Sequence, residues 1–503
     1  MKLGDLVGRI TRHGVKYSAG ELLGRMAGFL LIPLYTAVLV PEAFGRLQVL
    51  LSLHQMGQFT ADLGLSAAFL RWYGLAKEGE EQRRILANIA LGTLAASAGC
   101  TVLFLAAAKP LSMVLLTAAD YAPLVQLVGI SVGLRVVSTV GLTYLRLQER
   151  SGAYAAFSLG RTLLSLSLVL YFVLARRQGV YGILLGETLA NVAAVAVAAA
   201  LLAPGFRWKV SWSDLKGYLG YSLPFVVTNM GAFALFATDK FLLSAMKYAE
   251  ETGLYSLGGK LGIALNVAII WPFTLVWHPI LFRIARDETV EETRRLLARV
   301  FTYMTGILVW AGLSLALFGP ELIDVMSPPA YAAANQVVPF LVVSYVIYGC
   351  YRHFQAGLYI TGKSRIVATS FLAAAAVNLL LNLAWIPLWG MRGAAVATLV
   401  SFAVMAGMVL IAAQREYPIP YEWGRVARLV VWGLALYGAG VWLLRNPGLA
   451  WPHSALKLPI LAAYPAGVLM LRILTPGERR EASRIFARGR GGRRPEGWQR
   501  EEP

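Results

Sequence analysis

The sequence predicts an all-α integral membrane protein of about fourteen transmembrane helices, built as two six-helix lobes with two further helices at the carboxyl end. Three observations predict it. Of 503 residues, 57% are hydrophobic and 15% charged, and the mean hydropathy is +0.61; soluble globular chains hold about 45–50% and about 25%. The apolar residues come in continuous runs rather than in alternation, which excludes a β-barrel and disorder and leaves no room for a large soluble catalytic domain. With both termini in the cytoplasm, 32 of the 46 Lys and Arg fall in inside segments and 8 in outside loops, the asymmetry that orients membrane proteins. The net charge of +19 is then a topology signal and a contact for anionic lipid, not a nucleic-acid surface.

The runs follow one another with turn or charge clusters between them. The first, 17–40, carries Glu21 and Arg25 in its opening turns; a cleavable signal peptide has no charges in its apolar core, so this is a retained helix. Glu21 and Arg25 are four residues apart and can pair on one face, while Gly20, Gly24 and Gly28 form a small-residue stripe for close helix packing. The run 45–72 holds Gln48, Gln55, Gln58 and Asp62 at helical spacing, and 85–108 and 121–146 follow it. In 152–175, Tyr154, Ser158, Arg161 and Ser165 share a face. The Ala-rich run 179–203 ends at Pro204-Gly205, which opens a charged cytoplasmic linker over 204–216. Runs 217–246, 253–282 and 298–319 come next. In 333–359, Ser344, Tyr348, Arg352, Gln355 and Tyr359 recur every three or four residues, and Asn378 and Asn382 align in 366–388. Runs 392–413, 426–444 and 457–474 complete the set, before a basic cytoplasmic tail over 475–503. The segments 109–120 and 320–332, around Pro110 and Pro328-Pro329, are expected at the membrane interface.

An internal repeat divides the chain. Tyr17-Ser18 with Met26 and Phe29 recurs as Tyr221-Ser222 with Met230 and Phe233, and Gly179-Val-Tyr-Gly182 recurs as Gly390-Met-Arg-Gly393. Copies of six helices keep their orientation, so the lobes are expected at 1–203 and 217–413, related by a parallel pseudo-two-fold axis, with 414–474 as the two extra helices.

Motifs for bond-making chemistry are absent. Gly357 to Ser364 fits the P-loop pattern, but it follows a membrane helix and has no strand or α/β domain to complete it. Zinc-protease and nucleophile-elbow motifs are missing, the five histidines are scattered, and Cys100 and Cys350 lie inside apolar runs. No resident cofactor or metal is expected, and no enzyme activity.

The informative residues are the charges inside the runs: Glu21, Arg25, Asp62, Arg135, Arg161, Glu187, Asp239, Lys240, Lys260 and Arg352. Each is costly against lipid, so each faces a partner or a cavity. Asn378, Asn382, Glu187 and Arg135 suit plain helix–helix bonding. Arg25, Arg161, Lys260 and Arg352, beside Gln55, Tyr348 and Gln355, suit a central cavity for an anion carrying sugar, with amide hydrogen bonds and ring faces for the glycan. Glu21, Asp62 and Asp239 are the acids able to couple transport to protons or sodium.

Asp239-Lys240, then Gly253-Leu-Tyr-Ser256 with Lys260, then Thr361-Gly362-Lys363, then Asn378, Asn382 and Pro387-Leu-Trp-Gly390-Met-Arg-Gly393-Ala-Ala-Val-Ala-Thr398 stand in order along the chain, with Gly64-Leu and Arg71 to Tyr73 earlier. This set resembles the polysaccharide and O-antigen flippases of the multidrug/oligosaccharidyl-lipid/polysaccharide exporter superfamily, over about residues 1–475. The resemblance implies a V-shaped carrier of the cell membrane. It implies that the carrier turns an undecaprenyl-pyrophosphate-linked oligosaccharide from the cytoplasmic to the outer leaflet by alternating access. Membrane lipids, a polysaccharide polymerase and glycosyltransferases are the implied partners. In the related lipid II flippases, buried arginines contact the pyrophosphate; Arg25 and Lys260 match by position. The alternative is a cation-coupled multidrug antiporter of the same superfamily.

Overall fold

A computed structural model describes residues 29, 31–76, 79–206, 211–246, 248–445 and 453–470. Glu21, Arg25, the first glycine stripe and the basic tail lie outside the described residues. Among those described there is no strand. In chain order the helices are α1 (31–38), α2 (Pro41–Asp62), α3 (Leu65–Leu75), α4 (Glu80–Leu115), α5 (Ala122–Leu147), α6 (Ser151–Leu170), α7 (Gly179–Leu202), α8 (Trp212–Ala245), α9 (Ala249–Leu265), α10 (Trp271–Asp287), α11 (Val290–Leu317), α12 (Gly319–Met326), α13 (Val338–Ile360), α14 (Arg365–Trp389), α15 (Met391–Glu416), α16 (Trp423–Arg445) and α17 (His453–Met470). Among the described residues, nine helices are long and apolar enough to cross a bilayer, or up to eleven if each of two bent pairs is one span.

Helix ends follow local chemistry. Pro41 sits in the first turn of α2, where its missing N–H costs nothing. The Ser211 and Thr289 side chains accept from the backbone N–H of Asp214 and Glu292 and start α8 and α11. The run 45–72 is not one helix. Leu63 and Gly64 take φ of 47° and 71° and split it into α2 and α3. A Cβ on Gly64 would stand 3.0 Å from that of Ser222, whose hydroxyl donates to the Leu63 carbonyl at 2.7 Å. The segment 109–115, expected at the interface, instead continues α4 with Pro110 inside it. The segment 320–332 forms α12 and a 3₁₀ stretch, Pro329–Gln336. α9 runs through a π-helical turn, Asn266–Ile270, into α10, so Ala249–Asp287 is one rod of 39 residues.

The helices gather into two compact bodies. The first holds the described residues up to Asp287 with Gly319–Pro418; the second holds Glu288–Phe318 with those from Ile419 on. In the first body, α2 and α4 to α7 pack together, α8, α9 and α13 to α15 pack together, and α2 also lies along α8 and α9. At the α2–α9 crossing, a Cβ on Gly45 would stand 2.8 Å from the Gly253 nitrogen, so the two backbones touch. Nearby, the Thr36 hydroxyl donates to the Met326 carbonyl at 2.6 Å and Tyr331 to Leu39 at 2.7 Å. Toward the other end of α2 lies a core of Leu65, Phe69, Ile85, Ile89, Leu215 and Tyr218. There the Arg71 guanidinium lies 4.4 Å over the Tyr221 ring.

The second body has its own apolar core. α11 falls with α16 and α17, because Leu313 and Leu317 pack with Leu429, Leu436 and Tyr464. The Thr302 hydroxyl donates to Glu422 at 2.7 Å, and Glu422 pairs with Arg425 at 2.7 Å.

Candidate functional site

Two helices build the cavity. α2 contributes Ser52, Gln55 and Phe59, and α8 contributes Asn229, Phe233, Phe236, Ala237 and Lys240; together they line about 230 Å³. Both sets recur every three, four or seven residues, so each is one stripe of its helix. Phe59 and Phe233 meet edge-on at 6.1 Å and close one wall. Phe236 meets Tyr348 at 5.8 Å and Phe402 at 5.5 Å, which ties the cavity to α13 and α15. The Ser52 hydroxyl is spent on the Gln48 carbonyl at 2.8 Å. Gln55 and Asn229 supply free amide groups, and Lys240 is the one cation among the lining residues.

Asp239 and Lys240 are neighbours in sequence and point to different sides of α8. Asp239 is buried, accepts from the Tyr255 hydroxyl and from the Lys240 backbone N–H at 2.8 Å, and Tyr255 lies 3.3 Å from the Thr398 hydroxyl. It joins α8, α9 and α15. Lys240 turns into the cavity, and its charge acts on Lys260 of α9. Among the described residues Lys260 has no carboxylate partner. The structure therefore brings Gln55 and Lys240 together in the cavity wall, and Lys260 of α9 is close enough for the two lysine charges to act on each other. Lys240 was not among the site residues that spacing selected, yet it continues the stripe from Asn229 through Phe233 and Phe236.

The other expected residues stand elsewhere. Tyr348 borders the cavity through Phe236. Arg352 reaches the Gln355 side-chain oxygen at 3.4 Å, and Tyr359 donates to the same oxygen at 2.9 Å. Arg161 lies among α2 and α5 to α7: its guanidinium meets Asn191 at 3.4 Å, and Asn191 donates to Ser131 at 3.0 Å. Ser131 also meets the His54 ring at 3.2 Å, and Gln58 meets the far side of that ring at 3.0 Å. The charges of Glu187 and Arg135 act on this group too. Asp62 accepts from Ser66 at 2.5 Å across the α2–α3 break. Asn378 and Asn382, both fully buried, bond each other at 2.8 Å. Gly362, at φ 74°, ends α13, and Lys363 pairs with Glu416 at 2.5 Å, so the P-loop-like string is a helix terminus.

The sequence model of a family described as polysaccharide biosynthesis protein matches residues 10–285. The chain belongs to this family. No curated protein matches it. Among solved structures, the chain is similar to the lipid II flippase MurJ in an inward closed conformation. That match has 10% identity and a TM-score of 0.74, over 91% of this chain and 98% of that one. A multidrug resistance MATE family transporter of the MOP superfamily, in an inward-facing conformation, matches at 15% identity with a TM-score of 0.65, over 83% and 98%. The Vibrio cholerae MATE transporter VcmN in the bent form matches at 15% identity with a TM-score of 0.52, over 82% and 97%. The chain is thus a multi-pass membrane protein with the fold shared by these solved structures. Its two lysines beside amide and aromatic groups suit an anion with a polar, ring-bearing body.

Proposed function

We propose that the protein is a flippase that carries an undecaprenyl-pyrophosphate-linked oligosaccharide from the cytoplasmic to the outer leaflet by alternating access. It serves cell-surface polysaccharide synthesis, such as that of O-antigen and lipopolysaccharide. It makes and breaks no covalent bond. Both termini face the cytoplasm, as the cation distribution indicates, and a polymerase and glycosyltransferases are its functional neighbours. Lys240 in the cavity wall, with the charge of Lys260 on α9 acting from behind it, is the observation that carries this reading. An exporter of cationic drugs would gain nothing from them. Arg25 completes the pyrophosphate contact, Gln55 and Tyr348 meet the glycan, and Asp239, with Glu21 and Asp62, is where a proton or sodium ion couples.

The test is glycan export in a flippase-null strain. Hydrogen bonds to charged groups contribute about 1.5–3 kcal/mol, or about 10- to 150-fold in affinity for each lysine. Lys240→Gln with Lys260→Gln should therefore abolish export at wild-type protein levels. Normal export by that double variant, together with drug efflux lost in Asp239→Asn, would replace the flippase with the antiporter.

A further inference from the structure

The lysine pair provides for one anion, and a second cation stands apart from it. Arg352 has no carboxylate partner among the described residues; its guanidinium donates to a neutral amide oxygen, that of Gln355. A guanidinium has donors only, so this contact fixes which way the Gln355 amide points. Its NH₂ group is then left buried without an acceptor. Tyr359 donates to the same oxygen and meets the His278 ring edge-on at 5.4 Å. Arg352, His278 and Tyr359 are all partly open, whereas Gln355 behind them is fully buried.

The two cation positions are well separated. The rod α9–α10 and α13 run side by side in the same direction: Gly259 and Gly262 lie against Leu341, and His278 against Tyr359. Lys260 is therefore level with Leu341, eleven residues before Arg352. At 1.5 Å per residue that is about 16 Å along the bundle. The charge acting on Lys260 is that of Lys240, and the groups that feel Arg352 are His278, Tyr348 and Tyr359. A single pyrophosphate does not span both positions.

We propose that Arg352, His278, Gln355 and Tyr359 form a second subsite, which takes a carboxylate-bearing sugar of the uronic acid class. The inference rests on the flippase reading, in which the pyrophosphate of the same molecule lies at Lys240 and Lys260. Charge and shape assign the two groups. Two ammonium ions match the multiple charge of pyrophosphate, and one planar guanidinium fork matches the single charge and two oxygens of a carboxylate. The partly open His278 ring supplies a donor to the remaining sugar oxygens, and Gln355 behind it holds Arg352 and Tyr359 in place. The Tyr348 and Tyr359 rings supply faces for the pyranose. A neutral glycan would leave Arg352 inside the bundle without a counter-charge.

The experiment uses the full chain in nanodiscs and two synthetic probes: farnesyl-pyrophosphate-linked disaccharides that end in glucuronate or in glucose. Titration calorimetry reads both affinities. The wild type should bind the glucuronate probe at least about tenfold tighter. Arg352→Gln should bring that ratio close to one, and Arg352→Lys should keep part of it. Lys240→Gln and Lys260→Gln should weaken both probes in parallel and preserve the ratio. Equal affinities in the wild type, or a ratio that survives Arg352→Gln, would overturn the subsite while the flippase reading stands. Failure of the wild type to bind either probe would remove the flippase reading and the subsite with it.

Discussion

The Gly45–Gly253 crossing gives the sharpest test of how the first body is held. Gly45→Ala places a methyl group 2.8 Å from the Gly253 nitrogen and closer still to the Ala249 carbonyl oxygen. Both obstacles are backbone, so no rotamer change relieves them. α2 and α9 have to separate by several tenths of an ångström or more. Overpacking of this kind costs about 1–3 kcal/mol, and rigid backbone on both sides puts the cost near the upper figure. About 3 kcal/mol changes an equilibrium by roughly 150-fold. A carrier that makes this crossing in one conformation and breaks it in another would shift by that factor toward the broken state. The same end is joined by Thr36 to Met326 and by Leu39 to Tyr331. Val38 and Val325, 40% and 81% exposed, flank those bonds and accept spin labels without disturbing packing. With Cys100 and Cys350 replaced, pulsed electron resonance should give one short distance in the parent and a longer, broader one in Gly45→Ala. An unchanged distance with unchanged thermal stability would refute the close-crossing argument.

Two further outcomes are expected. Thr302→Val removes the hydroxyl that donates to Glu422 and should destabilise the second body by about 1–2 kcal/mol, seen as a lower melting temperature; an unchanged melt would mean that Arg425 alone satisfies Glu422. Reporter fusions after Arg176 and after Lys216 should read outside and inside, and identical readings would sink the proposed orientation.

Much of the fold was legible because long apolar runs have few ways to satisfy their backbone in a bilayer. Twelve of the runs, from 85–108 to 457–474, overlap described helices, and 45–72 overlaps two. The misses are places where a local signal carried two meanings. Gly64 reads as one small residue in a small-rich helix, but its φ of 71° beside Ser222 breaks the helix. Pro110 reads as a boundary, yet α4 continues through it. In the site, Gln55 was legible from its helical face, while Arg161 was not. Its partners Ser131, His54 and Asn191 are single polar residues on three other helices, and nothing in one sequence pairs them. Lys240 was in view as an intramembrane charge, but one sequence does not tell which of the adjacent Asp239 and Lys240 faces the cavity.

The separate placement of these two residues has a geometric reason. Successive helical residues point about 100° apart, so Asp239 and Lys240 belong to different surroundings. Asp239 is locked to Tyr255 and, through it, Thr398, and Lys240 stands over the cavity. In the proposed carrier, a proton or cation taken up at Asp239 would weaken its hold on Tyr255 and loosen α8 from α9 and α15. Lys240 is carried by the same helical turn and moves with it, relative to Gln55 on α2 and Lys260 on α9. In the proposed carrier, the coupling acid and the anion-binding lysine are thus two faces of one rigid segment. Because the two are consecutive on one backbone, exchanging them would aim the acid at the cavity and leave a lysine buried against Tyr255. Their order along the chain therefore matters as much as their presence.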